Sequence, residues 1–210
     1  MRKITLSNNR EVVVFWKEDG NAYEQTHVAH TQFISARQTH GNNILLVEQD
    51  YNAFWKHFID ADALFTAHEK PIGVYIADCL PVVLVWEKSH AIVHCSWRTL
   101  HGWLLQKTLE CFHHHQDSVH AVYLWPCIKW YEVGEEFDQY FPEQFLQSHG
   151  DKYLFDLPWY TVSILDAWWI GPDSIIIDNG CTWNDTELYW SYRRGARDQG
   201  NFVGVRKLNL

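Results

Sequence analysis

The chain has 210 residues, 47% hydrophobic and 20% charged, enough for one folded domain with a large core. A formal charge of −9 with no Lys/Arg run excludes a broad surface for nucleic acid or anionic membrane, leaving room for a local basic pocket. No stretch approaches the roughly 18 apolar residues of a membrane span, and the apolar run at 12–16 is too short for a signal core.

Twelve tryptophans spread along the chain predict an aromatic-rich core. The five cysteines, Cys79, Cys95, Cys111, Cys127 and Cys181, are odd in number and lack CxxC spacing, so reduced thiols and a cytoplasmic protein are expected. In chain order, residues 11–16 predict a strand that ends at the Asp19-Gly20 turn. His27 and His30 lie in a polar stretch and read as solvated. Residues 32–37 and 43–47 predict two short strands joined by Gln38-Thr39-His40-Gly41-Asn42. A His beside a Gly is free to point into a cleft, which makes His40 a candidate ligand. Asp60 and Asp62, at i and i+2, share a face if they lie on a strand. They would either orient ligand histidines or cap a loop.

The centre of the chain is residues 73–103. A strand over 73–77 delivers Asp78-Cys79, a second apolar run covers 82–86, and a third over 91–93 delivers His94 before a helix opens near Ser96. Neighbouring antiparallel strands lie about 5 Å apart, so Cys79 and His94 can stand side by side. Such a pair is half of a zinc site, a nucleophile with its base, or two buried residues.

Further on, residues 103–112 have helical spacing, with Cys111 and His113-His114-His115 at the end that suits the helix dipole. Residues 119–125 predict a strand broken by Pro126, and 131–137 lead into a helix with an acidic first turn. A helix over 158–169 opens on a proline, a strand follows at 175–178, another at 189–192 feeds Arg193-Arg194, and 201–207 closes the sheet. The two arginines suggest a planar anion site, or ion pairs with some of the many acids. No repeat or linker divides the chain.

The motif string Gln38-Thr39-His40-Gly41, Asp60-Ala61-Asp62-Ala63, Ala77-Asp78-Cys79-Leu80-Pro81 and His94-Cys95-Ser96-Trp97-Arg98 resembles the YfiH-like family. Pro126-Cys127-Ile128, Tyr131-Glu132-Val133-Gly134, Asp151-Lys152-Tyr153-Leu154, Cys181-Thr182 and Ser191-Tyr192-Arg193-Arg194 continue it, so it runs from about residue 32 to the C-terminus. The family is also known as the laccase-domain or peptidoglycan-editing-factor family. The resemblance implies a single α+β domain, a mixed β-sheet flanked by helices, similar to the deamidase domain of cytotoxic necrotizing toxins. It implies a zinc site (copper in older descriptions) that maps onto His40, Cys79 and His94. It also implies a purine nucleoside phosphorylase that deaminates adenosine and cleaves methylthioadenosine, or a role in peptidoglycan precursor editing.

On that reading the partners are a nucleoside and phosphate, in a monomer or weak homodimer. Two imidazoles and a thiolate leave a fourth position open, as at catalytic zinc. Gln38, Arg98, Arg193 and Arg194 are the candidates for substrate and phosphate, and Asp78 would steady a ligand or move a proton. The rivals are a metal-free hydrolase with Cys79 as nucleophile and His94 as base, and a zinc-stabilised module without activity. A laccase-type oxidase needs many more His ligands, and the blue-copper pattern needs an axial Met where Met1 is the only methionine.

The chain departs from the family at Cys95-Ser96 and Thr99, where small residues are usual, and at Trp125 and Lys129, where glycines are usual. Relative to the family, its N-terminal portion is expected to be shortened or missing. Added side chains at 95, 96 and 99 predict a differently shaped pocket.

Overall fold

A computed structural model describes residues 1–6, 9–24, 27–51 and 59–208. In chain order the elements begin with β1 (Arg2–Thr5), β2 (Arg10–Phe15), the single turn α1 (Ala29–Gln32), β3 (Ile44–Leu46) and β4 (Ala63–Thr66). Then come β5 (Ile72–Ile76), β6 (Leu80–Val85), β7 (His90–Cys95), α2 (Trp97–His101) and α3 (Leu104–His114). The last third holds β8 (Ala121–Leu124), β9 (Tyr131–Val133), β10 (Leu146–His149), β11 (Lys152–Phe155), α4 (Leu157–Ala167), β12 (Ile175–Ile177) and β13 (Asn201–Lys207). The fold is α+β, but the strands form three sheets rather than one: β12-β8-β6-β7-β4-β3, β1-β2-β13-β5, and β10-β11-β9.

Strand alternation explains the layering. Along β6, Leu80, Val82 and Leu84 face one core with α2, α3 and α4, whereas Val83 and Val85 face a second core shared with the four-stranded sheet. On β7, Ala91, Val93 and Cys95 join the helix side and Ile92 the sheet side. The six-stranded sheet is therefore covered by helices on one face and by β1-β2-β13-β5 on the other. Gly73 on β5 stands opposite Gly204 on β13, because a Cβ on either would lie 2.3–2.4 Å from the Phe202 or Phe33 ring.

The helices start where the chain supplies caps. Ser96 accepts from the Thr99 N–H at α2, and Asp156 accepts from the Trp159 N–H at α4, whose second residue is Pro158. The acidic residues Glu135, Glu136 and Asp138 sit in a 3-10 turn over Glu135–Gln139 instead of an α-helix.

Three further expectations change. Residues 32–37 make only isolated bridges, Ile34 to Ile72 and Arg37 to Asp60. Here the Gln38 amide clamps the Tyr75 peptide, donating to its carbonyl at 2.8 Å and accepting its N–H at 2.7 Å, so a side chain replaces the next ladder pair. Residues 189–192 form no strand, because the Asn201 amide takes both polar groups of the Trp190 backbone and Arg194 takes the Tyr189 carbonyl. The tryptophans are not mainly core: Trp125 alone of those described is fully buried, and Trp103, Trp130, Trp159, Trp169 and Trp183 are exposed. No helix among the described residues is long and apolar enough to cross a membrane.

Candidate metal centre and surrounding cleft

Cys79 lies in the connection between β5 and β6, where the chain crosses from the four-stranded to the six-stranded sheet. His94 lies on β7 opposite Pro81, so the hairpin brings it beside the start of β6. By alternation it points to the side opposite Cys95. His40 comes from the loop before β3 and adopts φ +58°, a left-handed conformation that favours Gly, Asn, Asp or His. One ligand atom from each of His40, Cys79 and His94 lies within 4.8 Å of the others. His40 Nε2 is 3.9 Å from Cys79 Sγ, and the two imidazole rings are 4.9 Å apart, edge to face.

The hub of this geometry is Asp62, fully buried just before β4. One carboxylate oxygen accepts from His94 Nδ1 at 2.8 Å and from the His40 N–H at 3.0 Å. The other accepts the N–H groups of Thr39 at 3.0 Å and Gly41 at 2.8 Å. One side chain thus fixes the ring of one candidate ligand and the loop of another. Burial pushes its acidity down, yet the His94 bond and charge, with the Gly41 and Thr39 N–H groups, outweigh it and hold the carboxyl below its ordinary value. Asp60 behaves differently, forming an exposed pair with Arg37.

In the metal-free state, burial raises the Cys79 thiol, but His94 and then His40 more than offset this and hold it at about 6. Burial lowers His94, but Cys79 and Asp62 outweigh it and raise the ring to about 9. The donor set suits a metal. Ligand atoms held 2.0–2.3 Å from one ion stand roughly 3.3–3.8 Å apart, close to the His40–Cys79 separation. Asp62 holds the proton on His94 Nδ1, which turns the lone pair of Nε2 toward the site. Among the described residues no other group of three His, Cys, Asp or Glu converges in this way.

The three residues open on a cleft of about 630 Å³. Tyr23, Tyr75, Trp97, Tyr131 and Tyr192 supply its aromatic walls, and Arg37, Arg98, Arg193 and Arg197 reach it from the rim. Arg98 lies 4.4 Å over the Trp97 ring, Arg193 4.7 Å over Tyr131, and Arg197 5.3 Å over Tyr192.

The remaining residues singled out in the sequence take different places. Asp78 has φ +90°, and its carboxylate accepts from Thr182 Oγ1 at 2.7 Å, Ser191 Oγ at 3.0 Å and the Arg193 N–H at 2.8 Å. Both its oxygens are thereby engaged in pinning the C-terminal loop next to Cys79 rather than in moving a substrate proton. Gln38 lines the cleft, but its amide is committed to Tyr75. Arg194 is turned away: its guanidinium donates to the carbonyls of Thr182, Trp183 and Tyr189, which makes it a loop brace and not an anion donor.

His27 and His30, expected in solvent, are buried. His30 bridges the Ala22 carbonyl at 3.0 Å and the Tyr75 hydroxyl at 3.2 Å, and His27 packs edge-on against Phe15. The departures at 95–99 also read differently in place. Cys95 is buried among helix-side core residues, and Thr99 Oγ1 accepts the Ser96 N–H at 2.8 Å, completing the cap of α2. Of these positions Ser96 lines the cleft, whereas Cys95 and Thr99 do not. All five cysteines are free thiols.

Sequence reasoning missed the five aromatics and Arg197. The adjacent pairs Trp97-Arg98 and Tyr192-Arg193 were the available signal, whereas Tyr23 carried none.

The family model described as multi-copper polyphenol oxidoreductase laccase matches residues 16–209. Purine nucleoside phosphorylase YfiH of Escherichia coli (strain K12) is 31% identical over 169 residues, covering 75% of this chain and 66% of that protein. Purine nucleoside phosphorylase of Aquifex aeolicus is 32% identical over 150 residues, covering 70% and 71%. The chain thus spans somewhat less than two thirds of the Escherichia coli relative. The crystal structure of Bacillus licheniformis hypothetical protein YfiH superposes with a TM-score of 0.81 at 18% identity, covering 96% of this chain and 94% of that one. With its fold shared and its family model matched over nearly the whole length, the chain belongs to the YfiH-like laccase-domain family.

Proposed function

We propose that the protein is a zinc-dependent purine nucleoside phosphorylase, with adenosine deamination and methylthioadenosine cleavage as side activities. The observation that carries this reading is the convergence of His40, Cys79 and His94 in a cleft lined by arginines and aromatic rings. The names of the relatives in Escherichia coli and Aquifex aeolicus support it. Zinc bound there would supply Lewis acidity at a substrate atom or a water.

The chain's own residues do the rest. Arg98 on Trp97 and Arg193 on Tyr131 line the cleft and offer planar donors to phosphate. The exposed rings of Tyr23 and Tyr192 offer apolar surface for a purine. Asp62 holds the His94 proton on Nδ1, and Asp78 sets the Arg193 backbone beside Cys79.

The test is to incubate zinc-loaded protein with inosine or adenosine and phosphate, and to separate the products by liquid chromatography. Hypoxanthine, adenine or inosine should appear, and should vanish in the His40→Ala and Cys79→Ala variants. If none appears above a metal-stripped control, nucleoside chemistry is the wrong assignment.

A second reading is favoured by one observation, the chain Cys79–His94–Asp62 with a thiol already shifted toward thiolate. Without metal this arrangement suits a cysteine amide hydrolase. Amide hydrolysis that survives chelation and is lost in Cys79→Ser would select it; activity restored only by zinc would dismiss it.

A further inference from the structure

The cleft carries more positive charge than phosphorolysis of a neutral nucleoside requires. In a chain of formal charge −9, the charged side chains that line it are four arginines and one carboxylate. That carboxylate, Asp78, is spoken for by Thr182, Ser191 and Arg193. Arg37 is paired with Asp60. Arg98, Arg193 and Arg197 are exposed, and among the described residues none forms an ion pair with a carboxylate.

The three rest on three different rings, Trp97, Tyr131 and Tyr192. Arg193 rests on Tyr131 and spends one N–H on the Glu132 carbonyl at 2.9 Å, and Arg98 rests on Trp97. A phosphate dianion is well served by two guanidinium groups. Arg197 rests on Tyr192, in the loop that turns at Gly195 with φ +103°. Stacking on an aromatic face orients a guanidinium without consuming its N–H donors, so Arg197 remains available to a ligand. With two arginines for one phosphate, an oriented arginine in the same cleft without a carboxylate partner is left to receive a second anion.

We propose that the preferred substrate carries its own phosphate, so that the cleft is a nucleotide site: a nucleoside 5′-monophosphate binds with its phosphate on Arg197. The inorganic phosphate then occupies Arg98 and Arg193. This deepens the phosphorylase reading and rests on it for the placement of base and sugar. The cleft volume of about 630 Å³ lies well inside the range of small-molecule sites and accommodates both anions.

The test uses zinc-loaded, full-length protein in phosphate-free buffer, titrated calorimetrically with inosine and with inosine 5′-monophosphate. The monophosphate should bind at least tenfold more tightly than inosine, and Arg197→Gln should bring the ratio of the two affinities to about one. Arg197 is exposed, so the variant is expected to fold, and far-ultraviolet circular dichroism checks this. Equal affinities in the unaltered protein, or an affinity ratio untouched by Arg197→Gln, would overturn the proposal. Turnover measured with added phosphate separates the two readings. Phosphorolysis of inosine without any preference for the monophosphate leaves the phosphorylase standing and removes the nucleotide site. An Arg197-dependent preference without phosphorolysis of either compound keeps the anion site and removes the phosphorylase.

Discussion

Substituting Asp62 by Asn is the sharpest perturbation of the candidate metal centre, because it exchanges one oxygen for an amide nitrogen and leaves the shape. The carboxylate accepts four close hydrogen bonds, two at each oxygen: His94 Nδ1 and the His40 N–H at one, the Thr39 and Gly41 N–H groups at the other. An amide nitrogen cannot accept. Whichever way the introduced amide turns, two donors meet a donor. Bonds to a charged acceptor contribute roughly 1.5–3 kcal/mol each, so the loss is about 3 kcal/mol or more before relaxation.

One relaxation is open to the protein. Turning the amide nitrogen toward His94 lets the ring switch tautomer, accept at Nδ1 and protonate Nε2. That rescues a hydrogen bond and removes the lone pair a metal needs. Zinc affinity should therefore fall by about 10–100-fold, the usual effect of losing such a partner. Competition titration against a chromophoric chelator measures affinity, and urea denaturation of the metal-free protein measures stability. An Asp62→Asn variant that binds zinc like the unaltered chain and unfolds at the same urea concentration would refute the hub assigned to Asp62.

Further outcomes follow from other sites. His40→Asn keeps a residue type that tolerates the left-handed backbone, and the backbone N–H bond to Asp62 survives, so stability should change by less than about 1 kcal/mol while zinc binding and turnover collapse. Gly73→Ala places a methyl 2.3 Å from the Phe202 ring and 2.8 Å from the Val203 carbonyl, so it should destabilise by about 1–3 kcal/mol; an unchanged urea midpoint contradicts that packing. His90 is fully buried and donates from Nε2 to the Lys70 carbonyl; burial first, then Arg10, holds it down at about 3. Below pH about 6.5 the unfolded chain binds a proton that the folded His90 refuses, so its contribution, complete above that pH, is lost as pH falls toward about 3, by up to roughly 4–5 kcal/mol. His90→Gln keeps a donor for Lys70 and should flatten the stability–pH curve in that window; an unchanged slope would show that His90 is not the titrating group.

The candidate ligands were legible because each stands where local rules put a side chain at an end or an edge. His40 precedes a glycine in a turn, Cys79 precedes an apolar strand, and His94 closes one. The period of two in β7 also settles why Cys95, though adjacent to His94, belongs to the other core. Less legible were positions decided by long-range pairing. Asp60 and Asp62 look alike in sequence; only packing decides which is buried beneath the Thr39–Gly41 loop and which meets Arg37 outside. Arg193 and Arg194 are neighbours, yet the tight path of the loop sends one to the cleft and the other to three carbonyls. The strands expected at 32–37 and 189–192 failed for a related reason. Gln38 and Asn201 present amides that imitate a peptide group, a substitution that hydrophobic pattern does not record.

Two buried carboxylates do the same work beside the candidate centre. Asp62 gathers three successive N–H groups of the loop carrying His40, and Asp78 gathers two hydroxyls and an N–H of the loop carrying Arg193. In each case the backbone beside the cleft is left-handed at a residue other than glycine, His40 and Asp78 themselves, at a cost of roughly 1–3 kcal/mol apiece. Charge-assisted bonds to the carboxylates are large enough to hold both conformations. Loops that would otherwise wander are thereby fixed where the two sheets meet, with a candidate ligand on one and, on the other, the arginine proposed to bind phosphate. This is why the neutral partners of Asp78, Thr182 and Ser191, matter as much to the site as the residues that face it: removing either hydroxyl loosens the Arg193 loop without touching the metal ligands.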